Sequence, residues 1–171
     1  MNRSSIFTLS AITAFGLAFM PSSAFAQTGK DLVGTWKTVT TIAVMPDGRR
    51  IEPYGPNPNN IMVFDANGHF VVVNARSDLP KFASNNRGQG TADENKAIVQ
   101  GSIAYFGTYS VVDKVIIQKV EGGTWPGWNG TDQKRPIISL TGDDLKLTNP
   151  GRSAGGTSES TYKRVKGTSK N

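Results

Sequence analysis

Short runs of β-branched and aromatic residues alternate with turn residues through most of this chain. Pro46-Asp47-Gly48, Asp65-Ala66-Asn67-Gly68 and Asp113-Lys114 separate neighbouring runs, and an Asn-Gly pair is the strongest short hairpin signal known. This pattern predicts an antiparallel all-β domain. Nine strands are expected, at residues 32–45, 49–53, 61–64, 69–75, 103–112, 115–121, 133–140, 145–149 and 160–165.

The number of strands is sufficient to close a small barrel, since about eight strands enclose a ligand-sized interior. Consecutive hairpins close most simply as an up-and-down barrel, whereas the alternative is a sandwich of two sheets. The sequence therefore favours an antiparallel up-and-down barrel of eight or nine strands.

One segment interrupts the β pattern. Thr91 and Glu94 have the spacing of a capping box, and residues 95–100 follow as two helical turns that stop near Gly101. The strands on either side, 69–73 and 104–109, are apolar at both parities and need cover on both faces. The single short helix is therefore expected to pack outside the barrel or to plug one of its mouths.

The first 26 residues have the features of a secretory signal peptide. Arg3 supplies the positive charge, residues 6–20 are apolar, and Ala24-Phe25-Ala26 has the small-x-small pattern that signal peptidase accepts. An uncleaved anchor is the alternative, but this apolar run is shorter than the roughly 20 residues that span a bilayer. We expect cleavage after Ala26, a mature barrel domain at 27–171 with no membrane span, and a periplasmic or secreted location.

The amino-acid composition excludes several kinds of catalytic and metal-binding sites. The chain has 171 residues with no cysteine and one histidine, which excludes a thiol nucleophile, a thiolate metal site and a histidine cluster. An exported chain without disulfides fits a bacterial periplasm. We expect no metal and no cofactor. The net charge is +6, but the basic residues are dispersed without a stacking motif, so nucleic acid is not an expected partner. An anionic ligand or an acidic envelope surface is compatible with this charge.

Alternation along three predicted strands places chemically useful side chains on shared faces. If those faces point inward, a cavity would hold two phenols, a Lys–Glu pair and an arginine, able to orient a carboxylate or another polar head group. The alternative places the charges in solvent and the tyrosines in ordinary core packing, and parity alone does not decide between them. The candidate ligand-binding residues from these strands are Tyr105, Tyr109, Lys119, Glu121, Gln133 and Arg135.

Longer motifs resemble a known family. From about Asp31 to Val165 the chain is similar to the bacterial and fungal lipocalin-like domain family, a calycin-type small barrel. The motifs are Leu32-Val33-Gly34-Thr35-Trp36, Glu52-Pro53-Tyr54-Gly55-Pro56-Asn57-Pro58, Phe82-Ala83-Ser84, Ile103-Ala104-Tyr105-Phe106-Gly107-Thr108-Tyr109, Val120-Glu121-Gly122 and Trp128-Asn129-Gly130-Thr131-Asp132-Gln133.

The resemblance implies a barrel with a hydrophobic or amphipathic cavity, without defining a substrate. It also implies that Trp36, a further candidate ligand-binding residue, lies at the base of the barrel, with Arg164 stacked on it or else exposed at the strand end. The chain departs from many relatives at Gln118 and Lys119, where those carry histidines, so a histidine-based role is in doubt here. Trp125 and Trp128 lie in a loop, where they could contact a ligand or cap a mouth.

Three functions are compatible with these observations. The first is an exported barrel that binds a small hydrophobic or amphipathic molecule, including an anionic one. The second is an enzyme of the isomerase or cyclase type, with proton transfer by two titratable groups such as Lys119 with Glu121 or Tyr105. The third is an envelope protein that binds another protein through an exposed apolar patch. No catalytic residue is assigned.

Overall fold

Nine antiparallel strands form one sheet in the computed structural model, which describes residues 29–167. This confirms the all-β class, and each strand lies close to a predicted run. The elements are α1 (Gly29–Leu32), β1 (Gly34–Val44), β2 (Arg50–Ile51), β3 (Ile61–Phe64), β4 (His69–Ala75), α2 (Ala92–Gly101), β5 (Ser102–Val112), β6 (Val115–Gly123), a 3₁₀ turn (Pro126–Trp128), β7 (Asp132–Leu140), β8 (Asp144–Asn149) and β9 (Thr157–Arg164).

The sheet closes on itself as an up-and-down barrel. Strand β1 pairs with β3 on one side and with β9 on the other, in a register that runs from Trp36 opposite Arg164 to Val44 opposite Thr157. Eight strands therefore form the closed barrel, and the short β2 is an extra strand paired to the end of β1. Closure excludes the two-sheet sandwich.

The two ends of the barrel differ in the length of their connections. At one end the strands are joined by the tight turns 65–68, 113–114 and 141–143, and α1 immediately precedes the start of β1 there. At the other end lie the long segments 52–60, 76–101, 124–131 and 150–156. The first end is filled by side chains that include Leu32, Trp36 and Phe64, all 1% exposed or less. We call these the closed end and the open end.

Local chemistry explains the tight turns at the closed end. The Asp65 carboxylate accepts hydrogen bonds from the backbone N–H groups of Asn67 and His69, both at 2.8 Å, and these bonds lower the pKa of Asp65. Asp113 and Lys114 have φ values of +49° and +61°, as a two-residue hairpin turn requires.

One glycine permits a close crossing of β5 and β6. The register of the pair shifts between Phe106 and Gly107, and a Cβ atom on Gly107 would lie 1.9 Å from the carbonyl oxygen of Lys119. Because no other residue fits this distance, the glycine allows the irregularity that bends the sheet here.

Helix α2 lies at the open end, and its capping box is confirmed. The Thr91 hydroxyl accepts from the Glu94 N–H at 3.2 Å, and the Glu94 carboxylate accepts from the N–H groups of Thr91 at 2.7 Å and Ala83 at 2.8 Å. Ile98 and Val99 border the opening, so the helix edges one mouth of the barrel. Within residues 29–167, no helix has the length and apolar character needed to cross a membrane. The predicted signal peptide lies outside the described residues.

Candidate functional site

The closed end is built around a stack of Arg164 on Trp36. The guanidinium carbon of Arg164 lies 4.1 Å from the centre of the Trp36 ring, so of the two alternatives for Arg164 the stacked one is found. The indole N–H of Trp36 donates to the Leu32 carbonyl at 2.8 Å. Gly34 gives the guanidinium room, because a Cβ atom there would lie 2.6 Å from Arg164 Nη1. The Gly-x-Trp motif and the arginine thus serve one piece of packing.

Arg164 and Tyr109 also fasten α1 and the turns to the barrel. Arg164 donates to the carbonyl oxygens of Asp31, Val33 and Gly142. The Tyr109 hydroxyl donates to the Asp65 carbonyl at 2.9 Å. Two predicted ligand-binding residues, Trp36 and Tyr109, therefore belong to the packing of the closed end and do not line the cavity described next.

A cavity of about 750 Å³ occupies the other half of the barrel interior and reaches the open end. Its inner wall combines aliphatic and aromatic surface with several polar groups. Thr41 and Ser160 satisfy each other with a hydroxyl–hydroxyl hydrogen bond of 2.9 Å. The other buried or half-buried inner wall residues include Met62, Val72, Tyr105, Gln118, Arg135, Leu147 and Tyr162.

Two buried polar side chains in this wall have unsatisfied atoms. Arg135 is 5% exposed; its Nη1 donates to the Lys134 carbonyl at 2.9 Å, but its Nη2 has no hydrogen-bond partner among the described residues. Gln118 is 1% exposed, and its Oε1 likewise has no partner in this part of the chain. Buried polar groups are normally hydrogen-bonded, so these two mark the cavity as a place where a further molecule could bind.

A pair of aromatic rings lies beside Arg135. Its guanidinium carbon lies 5.7 Å from the centre of the Trp128 ring, and Trp128 meets Tyr105 edge to face with ring centres 5.2 Å apart.

Burial raises the pKa of Tyr162 to about 12, and burial next to Tyr105 also raises the pKa of Tyr54. The phenols of Tyr54 and Tyr162 therefore remain protonated at neutral pH and can donate hydrogen bonds.

The structure decides between the two alternatives for Lys119 and Glu121 in favour of the solvent-facing one. Lys119 and Glu121 are exposed on β6, whereas Ile116, Gln118 and Val120 alternate with them and face the interior. An acid–base pair of Lys119 and Glu121 in the cavity is therefore wrong.

Of the seven candidate residues, two line the cavity, namely Tyr105 and Arg135. Gln133 is half-buried but lies outside the cavity wall, where its amide donates to the Thr131 hydroxyl at 2.9 Å. Gln118 and Tyr162 line the cavity but were not among the candidates. The sequence does contain a signal for Gln118, because it alternates in step with the apolar residues Ile116 and Val120 and so lies on their face of the strand. Lys119 and Glu121 lie on the other face, together with Ile117.

The charged residues in the cavity lining are mostly positive. They are Arg135 within the barrel and Arg76, Arg152 and Glu52 nearer the opening. Arg76 is paired with Asp78 at 2.6 Å, and Arg152 donates to the Gly155 carbonyl at 3.1 Å. No group of three or more His, Cys, Asp or Glu able to hold a metal ion occurs between residues 29 and 167.

The outer wall of β3, β4 and β5 carries exposed apolar side chains. Ile61 lies opposite Val73, and Val71 lies opposite Phe106, with exposures between 36% and 50%. This exposed apolar patch is the surface through which the barrel would contact another protein, as the third function in the sequence analysis requires.

Comparison with known proteins gives one family and several similar barrels. A family model described as lipocalin-like domain matches residues 33–166. A lipocalin-like protein from Bacteroides uniformis is 16% identical with a TM-score of 0.45, covering 79% of this chain and 99% of that one. A redesigned β-barrel is 14% identical (TM-score 0.43, covering 84% and 100%), and a deswapped triple mutant of bovine odorant-binding protein is 20% identical (TM-score 0.36, covering 80% and 74%). A search of curated proteins found no match.

Proposed function

This chain belongs to the lipocalin-like domain family, and from that premise we propose that its barrel binds a small hydrophobic or amphipathic molecule in the open-ended cavity. The cavity is the observation that carries the proposal. Its volume of about 750 Å³ falls within the roughly 300–1,000 Å³ typical of small-molecule sites. An interior filled by side chains, as at the closed end, would leave no such room.

The composition of the wall supports an amphipathic ligand. Met62, Val72 and Leu147 offer apolar surface, and the rings of Tyr105 and Trp128 offer flat surface with polar edges. Proton-transfer catalysis has less support, because the side chains of Lys119 and Glu121 are on the outer face of the barrel and not in the cavity. Glu52 is the single carboxylate of the described lining, and it is exposed near the opening.

We also propose that the protein acts after export, in the periplasm or outside the cell. The support is the sequence of residues 1–26, with its small-x-small site ending at Ala26. The intact mass of protein recovered from the periplasm of expressing bacteria tests this. A chain beginning at Gln27 is expected, whereas a full-length chain in the cytoplasm would contradict it.

Titration with N-phenyl-1-naphthylamine, an uncharged probe that fluoresces in apolar surroundings, tests the binding function. The native protein should bind it saturably with one probe per barrel. Val72→Phe places extra volume on the cavity wall and should weaken binding several-fold, whereas Val71→Phe adds the same volume to the outer face and should not. Absence of saturable binding, or equal effects of the two variants, would show that the probe does not occupy the cavity.

A further inference from the structure

We infer that the cavity selects a carboxylate-bearing amphiphile, whose anionic group pairs with Arg135. This inference rests on the proposed binding function and specifies the ligand's chemistry. Its basis is a buried cation in the cavity wall that has no ion-pair partner among residues 29–167, near an amide with an unsatisfied oxygen.

The charge of Arg135 is permanent and buried. A guanidinium remains protonated in proteins, and a buried charge is strongly unfavourable unless an opposite charge and hydrogen bonds compensate it. Arg135 is 5% exposed, and the hydrogen bond found for it uses Nη1 and a neutral backbone carbonyl. The ion pairs found among residues 29–167 all lie between other residues. A carboxylate on the ligand would supply the missing charge.

The other charges around the cavity do not replace that carboxylate. Glu52 is exposed near the opening, and Arg76 and Arg152 have the same sign as Arg135. Although Arg76 is neutralised by Asp78, Arg152 adds to the positive potential. Arg135 and Arg152 together outweigh the carboxylate of Glu52, so the net charge of the described lining favours an anion.

Gln118 supplies a second polar contact near the first. Strands β6 and β7 pair Ile116 with Arg135 and Gln118 with Gln133, so Gln118 and Arg135 are diagonal neighbours on the inner face, about 7–8 Å apart between backbones. Both side chains are long enough to reach one polar head group. A ligand with a hydroxyl or N–H donor close to its carboxylate would satisfy Gln118 Oε1 as well as Arg135 Nη2.

The first experiment compares two fluorescent probes that share a ring system. 1-Anilinonaphthalene-8-sulfonate is N-phenyl-1-naphthylamine with an added sulfonate. Arg135→Gln should weaken binding of the sulfonate by about tenfold or more, which is the size expected for a charge-assisted hydrogen bond. Binding of the uncharged probe should weaken by a smaller factor than binding of the sulfonate, because the uncharged probe forms no ion pair with Arg135. Lys119→Gln removes an equal charge from the outer face of β6 and should leave both probes unaffected.

The second experiment addresses the carboxylate itself. Dodecanoate should displace the uncharged probe from the native protein at least about tenfold better than 1-dodecanol, and Arg135→Gln should abolish the difference. Arg135→Lys, which keeps the charge, should retain part of it. If dodecanoate and dodecanol compete equally in the native protein, the assignment is overturned. A preference for the sulfonate without one for dodecanoate would overturn the carboxylate assignment in favour of another oxyanion.

The outcomes also separate this inference from the function on which it rests. If the native protein binds neither probe, the binding function fails. If it binds both and Arg135→Gln changes neither affinity, binding stands and the role of Arg135 fails. If Arg135→Gln does not fold, the native protein still decides, because dodecanoate should raise its Tm more than an equal concentration of dodecanol.

Discussion

Arg164 should be the side chain on which the closed end of the barrel most depends. Its guanidinium stacks on the fully buried Trp36 and donates to three backbone carbonyls, one within α1, one directly after it and one in the β7–β8 turn. Arg164→Gln removes the stack and shortens the side chain so that it no longer reaches these carbonyls. The variant should therefore loosen α1 and the β7–β8 turn together.

The magnitude follows from the burial of each contact. The bond to the Val33 carbonyl is partly buried, so its loss should cost about 2 kcal/mol. The bonds to Asp31 and Gly142 are exposed, and water can replace them at a cost of about 0.5 kcal/mol each. The cation–π contact adds about 1 kcal/mol. We expect Arg164→Gln to lower the free energy of unfolding by about 3–4 kcal/mol.

Urea unfolding monitored by tryptophan fluorescence measures this change. Arg164→Lys should recover only a small part of it, because the compact lysine ammonium lacks the planar guanidinium fork that spans the three carbonyls and stacks on Trp36. The matched control is Lys163→Gln on the same strand, which breaks an exposed ion pair with Asp144 and should cost less than 1 kcal/mol. A loss below about 1 kcal/mol for Arg164→Gln, or equal losses for both variants, would refute the reasoning.

Two further variants test the barrel wall. Gly107→Ala should lower the free energy of unfolding by about 3 kcal/mol or more, because its Cβ would overlap the Lys119 carbonyl, and urea unfolding measures this. Tyr162→Phe should remove a loss of stability at high pH. The pKa of Tyr162 is about 12 in the folded protein and about 10 in the unfolded chain. Because the unfolded state then binds fewer protons, titration of Tyr162 should lower the free energy of unfolding by about 1 kcal/mol at pH 11.

Each of these variants has its own check. Gly142→Ala places a Cβ in open space and should change stability by less than about 0.5 kcal/mol, so an equal effect at both glycines would contradict the steric argument. For Tyr162→Phe, the stability difference from the native protein should be constant below pH 9 and shift in favour of the variant above it. A difference that stays constant to pH 11 would contradict the raised pKa.

The order of the strands and the positions of the tight hairpin turns could be predicted because both depend on local chemistry. Turn residues such as Asn67 and Gly68 have backbone preferences that act within a few residues, and the Thr91–Glu94 capping box is equally local. Closure by pairing of β1 with β9 followed from the count of consecutive hairpins. The division into a filled end and an open cavity did not, because it depends on which side chains from distant strands meet.

The polar residues of the cavity wall show what the alternation of side chains along a strand can and cannot predict. On β6 the inward set is Ile116, Gln118 and Val120, and the outward set contains Lys119 and Glu121. A strand buries its more apolar face, so the two charges are the expected outer residues and Gln118 is a polar residue placed on the apolar face. Arg135 breaks the pattern in the same way, because it shares a face with the buried Ile137. A buried polar group is costly for folding unless it has a partner, and the two inward residues with unsatisfied atoms lie side by side in one cavity wall. Their position against the apolar pattern, rather than the number of charges on a strand, is therefore the sequence feature that points to a ligand.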